Sequence, residues 1–299
     1  MSQGIIYAIL GACIWWVFFT IISYIAQNNR TSHHINLARQ YTAAVVVAIV
    51  AIIITQILHT WHSLLPSLSR ISLGIFVVQW IIWFAGIFFL YKAFEKTPSS
   101  IWLIISYGYI FLAYGLNIVF FGSEELRNTS QIISVVIFFI AIALLLLESE
   151  AWKIRINKYA LWAIGTMVAW LWFFFLNTWI IKNDIMTPIQ TTIISETSIV
   201  WVALLYLIKK EKKNRIKAYT SIRQKDMIMY LALGVTAIGW NVLSYIWLLS
   251  EPANTINIIR ISSVIFTAIF SRIFLHDRLS SKQIILIVIA TVALWFFIQ

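Results

Sequence analysis

The sequence predicts an all-α integral membrane protein with ten transmembrane helices in two inverted five-helix repeats. Composition, the spacing of apolar runs and a faint internal repeat carry that prediction. Of the 299 residues, 61% are hydrophobic and 11% charged, and the mean hydropathy is +0.88. That is more apolar surface than a water-soluble core of this size can hide. A spanning helix takes about 20 mostly apolar residues. Ten runs meet the requirement: 4–26, 36–58, 70–94, 98–121, 129–147, 158–181, 186–208, 226–250, 252–274 and 280–298. Their continuity argues against a barrel, whose strands alternate over short segments. The first run exceeds a signal-peptide core and its leader Met1-Ser2-Gln3 has no basic residue, so it reads as a retained span.

Charge lies between the spans. The net charge of +11 invites a nucleic-acid reading, but a nucleic-acid site would need a supporting domain that the runs leave no room for. Counted from an extracytoplasmic start, odd-numbered loops and their helix ends hold 18 of the 22 Lys and Arg, eight of them from Lys209 to Lys225. Even loops hold Arg70, Arg127 and Lys182, and Arg260 stands inside a span. This asymmetry predicts cytoplasmic odd loops and outward termini, with "KKEKKNRIK" as a topology anchor beside anionic lipid. The lone Cys13 allows no intrachain disulfide. His33 and His34 read as solvated rather than metal-binding, and the "NRT" and "NTS" patterns at Asn29 and Asn128 read as chance.

An offset of 154 residues places Gly11 on Gly165, Trp16 on Trp170, Phe19 on Phe173, Ser23 on Asn177, Tyr91 on Tyr245 and Pro98 on Pro252. Five spans per half force the second half to enter the membrane from the opposite side. The expected units are therefore residues 1–148 and 158–299, joined by a linker at 149–157. Inverted repeats recur in secondary transporters, because exchanging the conformations of two similar halves opens a central site to alternate sides.

Near the end of each half, "FFGSEELRNTSQIISVVIFFIAIAL" and "FLHDRLSSKQIILIVIATVALWFF" share an acidic-basic turn followed by an apolar helix. With ten spans in about 300 residues, the chain resembles the EamA-type ten-helix transporters of the drug/metabolite transporter superfamily. The resemblance implies a central cavity built from the first four helices of each half, with the fifth and tenth at the periphery. It also implies export of small solutes such as amino acids across a bacterial inner membrane. The chain departs from it in lacking the proline usual midway along the fourth and ninth helices, near Phe111 and Val264. Its charge bias also favours outward termini where relatives have cytoplasmic ones.

Arg260 is the first candidate site residue, because a charge at the middle of a span costs about 3 kcal/mol on insertion scales. Asn257, Ser263, Thr267 and Ser271 fall within about 60° of it on a helical wheel. Glu196 is the second intramembrane charge. The two could form a structural pair, or Arg260 could bind a substrate carboxylate or phosphate through its planar fork of donors. Glu196 could then balance an amine or carry a coupling proton. Trp16, Gln79, Trp83, Tyr107, Asn117, Trp170, Asn177, Trp240 and Asn241 complete the expected substrate site, an aromatic lining with amide and hydroxyl groups. Arg39 reads as interfacial. The sequence has no Walker loop, dinucleotide fingerprint, HExxH or nucleophile elbow, so it points away from an enzyme and from any cofactor. The expected partners are a small-molecule substrate and the lipid bilayer. The function expected is alternating-access transport of zwitterionic or anionic metabolites. Cationic or quaternary ammonium drugs and metabolites, held by Glu196, are the first alternative, and a non-transporting membrane protein is the second.

Overall fold

The computed structural model describes residues 3–28, 32–57, 70–121, 128–150, 153–183, 185–210, 219–250, 264, 267–269, 272–273 and 279–298. Its helices are α1 (Gln3–Asn28), α2 (His33–Ile57), α3 (Arg70–Phe94), α4 (Ser99–Ser106), α5 (Tyr109–Phe121), α6 (Thr129–Leu146), α7 (Lys158–Lys182), α8 (Pro188–Lys210), α9 (Gln224–Ser250) and α10 (Ser281–Ile298). Among the described residues, seven stretches are long and apolar enough to cross a membrane, one of them running through α4 and α5; shorter apolar stretches lie in α1 and α10. Most of the ninth expected run, 252–274, including Arg260, lies outside the described residues.

In hydrocarbon, apolar side chains gain little by leaving lipid, so helices associate through close packing of small residues and interhelical hydrogen bonds. The helix contacts follow that rule. α3 packs on α7 and α1 on α9; α2 packs on α8 and α9, α4 and α5 on α7, and α6 on α10. Glycines permit the tightest crossings. A Cβ on Gly234 of α9 would lie 3.0 Å from the backbone of Ala43 in α2, and one on Gly86 of α3 would lie 3.1 Å from Ala169 Cβ in α7. Apolar side chains such as Val78, Ile81, Ile133 and Leu205 face outward, while the interior mixes Phe, Ile, Leu and Ala with buried Trp, Tyr, Gln and Asn side chains.

The fourth expected span is interrupted at Tyr107 and Gly108, without a proline. The Gly108 N–H donates to the Ile105 carbonyl at 3.1 Å, a tightened turn, and Ser106 Oγ donates to the Leu103 carbonyl at 2.8 Å. A Cβ on Gly108 would meet Met167 Sδ at 2.7 Å and the Ile105 oxygen at 3.2 Å, so glycine lets the break press against α7. Broken helices at membrane depth occur where protein or a watery cavity covers the freed backbone.

Several helix starts are fixed by side-chain caps. Asn128 and Gln131 form a reciprocal capping box at α6; Thr187 with Gln190 and Ser280 with Gln283 do the same at α8 and α10. The "NTS" triplet is thus explained by the N-cap of α6. The expected linker at 149–157 contains an ordered element. β1 (Leu147–Glu150) pairs antiparallel with β2 (Lys153–Ile156), with Glu148 in register with Arg155 and Glu150 with Lys153.

Candidate functional site

On α1, Trp15, Phe18, Phe19 and Ile22 follow the i, i+3, i+4, i+7 spacing of one helical face, and all are buried. Trp16, the expected site residue, is only half-buried. The apolar stripe turns its neighbour Trp15 inward instead, and Trp16 sits about 100° away on the helix. Trp15 stacks on Trp240 of α9 at 4.7 Å and lies 5.4 Å from Trp170 of α7. Trp170 in turn lies 5.2 Å from Trp102 of α4, edge to face, and 6.2 Å from Trp83 of α3. Trp83 stacks on Phe173 at 4.1 Å. Five helices therefore meet at one aromatic cluster, and such ring pairs contribute about 0.5–1.5 kcal/mol each beyond the area they bury.

Two polar pairs adjoin the cluster. Between α3 and α7, the Gln79 amide donates to Asn177 Oδ1, and both side chains are fully buried. Between α9 and α8, Asn241 Nδ2 donates to Glu196 Oε1 at 2.8 Å. Glu196 and Asn241 are 1% and 2% exposed, and Tyr41 of α2 lies within electrostatic reach of the carboxyl. Among the described residues no cation pairs with Glu196. Tyr107 is buried at the break between α4 and α5, its ring 6.4 Å from Tyr109, at the margin of the cluster. Asn117 lies in α5, and its side chain, like Arg260, is outside the described residues.

A second polar layer was not anticipated. Arg39, expected at the interface, is buried. Its guanidinium donates to the carbonyls of Tyr219 and Ser221, both at 3.2 Å, and lies 5.8 Å from the Tyr230 ring centroid. Tyr230 donates to Asn36 at 2.8 Å, and Tyr91 donates to Gln40 at 3.0 Å. These bonds tie the first turns of α2 to α3, to α9 and to the segment before α9. The signal in "HHINLARQY" is the i, i+3, i+4 placement of Asn36, Arg39 and Gln40 on one helix face. His33, expected to be solvated, is instead bonded to Glu95, which also accepts from Lys92 at 3.1 Å. Partial burial pushes the Glu95 carboxyl up, but hydrogen bonds and charge from His33 and Lys92 outweigh it and hold the group below its ordinary range.

Apolar grooves of about 230 Å³ lie at the periphery, one lined by Ile105, Phe138 and Met167 and one by Leu279, Ile287 and Thr291. Neither reaches the aromatic cluster. Among the described residues no group of three His, Cys, Asp or Glu could hold a metal ion.

Residues 157–299 match the EamA-like transporter family. The second half of the chain therefore carries an EamA-like domain, consistent with the drug/metabolite transporter superfamily. No curated protein matches the chain in sequence. One solved crystal structure of a protein superposes with a TM-score of 0.63 at 10% identity, covering 99% of this chain and 97% of the other. At that identity the likeness shows the fold alone.

Proposed function

We propose that this membrane protein, with an EamA-like second half, is a secondary transporter of small zwitterionic or anionic metabolites such as amino acids, working by alternating access. The observation that carries the reading is a buried carboxylate, Glu196, held by Asn241 next to an aromatic cluster that joins α1, α3, α4, α7 and α9. An intramembrane ionisable group is expensive and is a functional candidate by default. Glu196 would take the substrate's amine or carry a coupling proton. Arg260 would take the acidic group, and the rings would enclose the body. Export across a bacterial inner membrane follows the family resemblance.

Alternating access needs two exchangeable halves, 1–148 and 158–299, and the helix contacts are consistent with that exchange. Under the 154-residue offset the α1 with α9 crossing becomes α7 with α3, and both crossings are present. The capping boxes Asn128 with Gln131 and Ser280 with Gln283 likewise open the last helix of each half. The same buried carboxylate supports a second reading, in which Glu196 binds a cationic or quaternary ammonium solute over the ring faces.

Ligand-dependent thermal stability of the purified protein separates the two. A ligand at 100 times its Kd stabilises the folded state by about 2.7 kcal/mol. Amino acids should stabilise the native protein and lose that effect in Arg260→Ala and in Glu196→Gln. Stabilisation by quaternary cations alone, unchanged in Arg260→Ala, would reject the amino-acid reading and leave Glu196 as the binding charge.

A further inference from the structure

The aromatic cluster has an uneven hydrogen-bond balance. Trp83, Trp102 and Trp170 are at most 1% exposed, and among the described residues none of their indole nitrogens has an acceptor. A buried indole N–H ordinarily finds a partner, so three in one cluster call for a reason. The rings of Trp83 and Trp102 lie 6.2 and 5.2 Å from that of Trp170. Asn177, two turns beyond Trp170 on α7, has a buried Nδ2 without a partner, and Gln79, one turn before Trp83 on α3, has a buried Oε1 without one. Turning both amides over would exchange the roles of those two residues and leave the same balance. Three indole N–H groups and one amide NH₂ stand against a single carbonyl.

The other side of the stack carries the negative group. Beyond Trp15 and Trp240, the unpaired atom of the Asn241 amide is its oxygen, and its neighbour is the Glu196 carboxyl, with the unpaired hydroxyl of Tyr41 in electrostatic reach of it. A cation would be well placed there, but against α3 and α7 it would leave every indole N–H unmet. An acceptor group would satisfy them without a positive charge from the protein.

We infer that Trp83, Trp102 and Trp170, with Asn177, form an uncharged donor subsite for the carboxylate or carbonyl oxygens of a ring-bearing solute, whose cationic end faces Glu196 and Asn241. The inference rests on the transport reading above and adds an orientation to it. It also gives the acidic end of the solute neutral donors on α3, α4 and α7, in addition to the Arg260 of that reading.

The test replaces Trp83, Trp102 or Trp170 singly by benzothienylalanine, which exchanges the N–H for sulfur at nearly constant shape. Binding of 3-phenylpropionate, phenethylamine and phenylalanine is then measured by thermal shift on the full chain. Each replacement should weaken 3-phenylpropionate roughly ten- to a hundredfold, the loss expected for one hydrogen bond to a charged group, and leave phenethylamine unchanged. The unliganded protein should keep or gain melting temperature, because a donor without a partner is removed. An unchanged affinity for 3-phenylpropionate in all three variants overturns the subsite, as does failure of that probe to stabilise the native protein. If phenylalanine still binds and depends on Glu196, the transport reading survives that result. If 3-phenylpropionate depends on the N–H groups while phenethylamine and Glu196→Gln have no effect, the subsite stands and the zwitterionic reading falls.

Discussion

Helix α3 crosses α7 and helix α1 crosses α9 at corresponding positions, yet the two crossings are filled differently. In the first, Gly86 would carry a Cβ only 3.1 Å from Ala169 and 3.3 Å from Trp170, and Gly165 opposes Phe89 at 2.8 Å. Small residues let the helices approach closely there, and Trp83 stacks on Phe173 beside them at 4.1 Å. In the second, the residue matching Gly86 is Trp240 and the residue matching Ala169 is Trp15, and their rings stack at 4.7 Å. Side chains fill the gap there, with Gly11 making room for the Trp240 ring at 3.2 Å. The polar groups differ as well. The first crossing buries Gln79 with Asn177, whereas the matching positions in the second are Leu233 and Ser23. The two crossings thus bury unlike side chains at positions that the 154-residue offset pairs.

The largest expected effect comes from breaking the closer crossing. Gly86→Leu forces a branched side chain against Ala169 and Trp170, and overpacking of this kind costs about 1–3 kcal/mol, occasionally more. Gly11→Ala presses only on the edge of one indole and should cost under about 1 kcal/mol. Thermal unfolding in detergent compares them. Equal losses would mean that the two crossings are held in the same way.

The polar pair gives the next effect. Gln79→Leu leaves the buried Asn177 amide unbonded, at a cost of about 1–3 kcal/mol, while Gln79→Leu with Asn177→Leu removes both partners and should recover most of it. Ser23→Ala at the matching site should change stability by about 0.5 kcal/mol or less, since Ser23 accepts one long 3.3 Å bond from Gln27. A double variant as unstable as the single one would show that packing, not hydrogen bonding, holds Asn177.

Much of this framework is legible in the sequence, for physical reasons. Apolar runs locate spans because hydrocarbon requires them, and nine of the ten expected runs coincide with described helices. Gln79, Asn177, Glu196 and Asn241 were identifiable because polar groups in a span are costly and so have partners. The partners themselves were not legible, since Gln79 and Asn177 stand 98 residues apart. The repeat alignment points to Trp16, whereas the apolar stripe of α1 points to Trp15. The break at Gly108 was missed because proline was the expected signal, while the close approach of Met167 depends on tertiary packing. Near a span end, sequence cannot separate a solvated charge from one covered by a neighbouring segment, as the partners of His33 and Arg39 illustrate.

The smallest effect separates the halves at the membrane edge. The start of α2 is tied to the end of α3 by His33, Glu95 and Lys92, whereas α8 starts at the uncharged capping box of Thr187 and Gln190, Thr187 being the residue that matches His33 at the same offset. The carboxyl of Glu95 is held below its ordinary range in the folded protein. Its stabilising contribution is therefore complete above the unfolded carboxylate pKa and is lost as pH falls through the lower folded value. Acidification should loosen the first turn of α2 and leave that of α8 unchanged. Hydrogen exchange at the two helix starts, compared between neutral pH and the acid side of the carboxylate range after correction for the intrinsic rate, reads this directly. In Glu95→Gln the difference between the two pH values should vanish. If α2 and α8 instead loosen together, the acid response belongs to the whole fold and not to this contact.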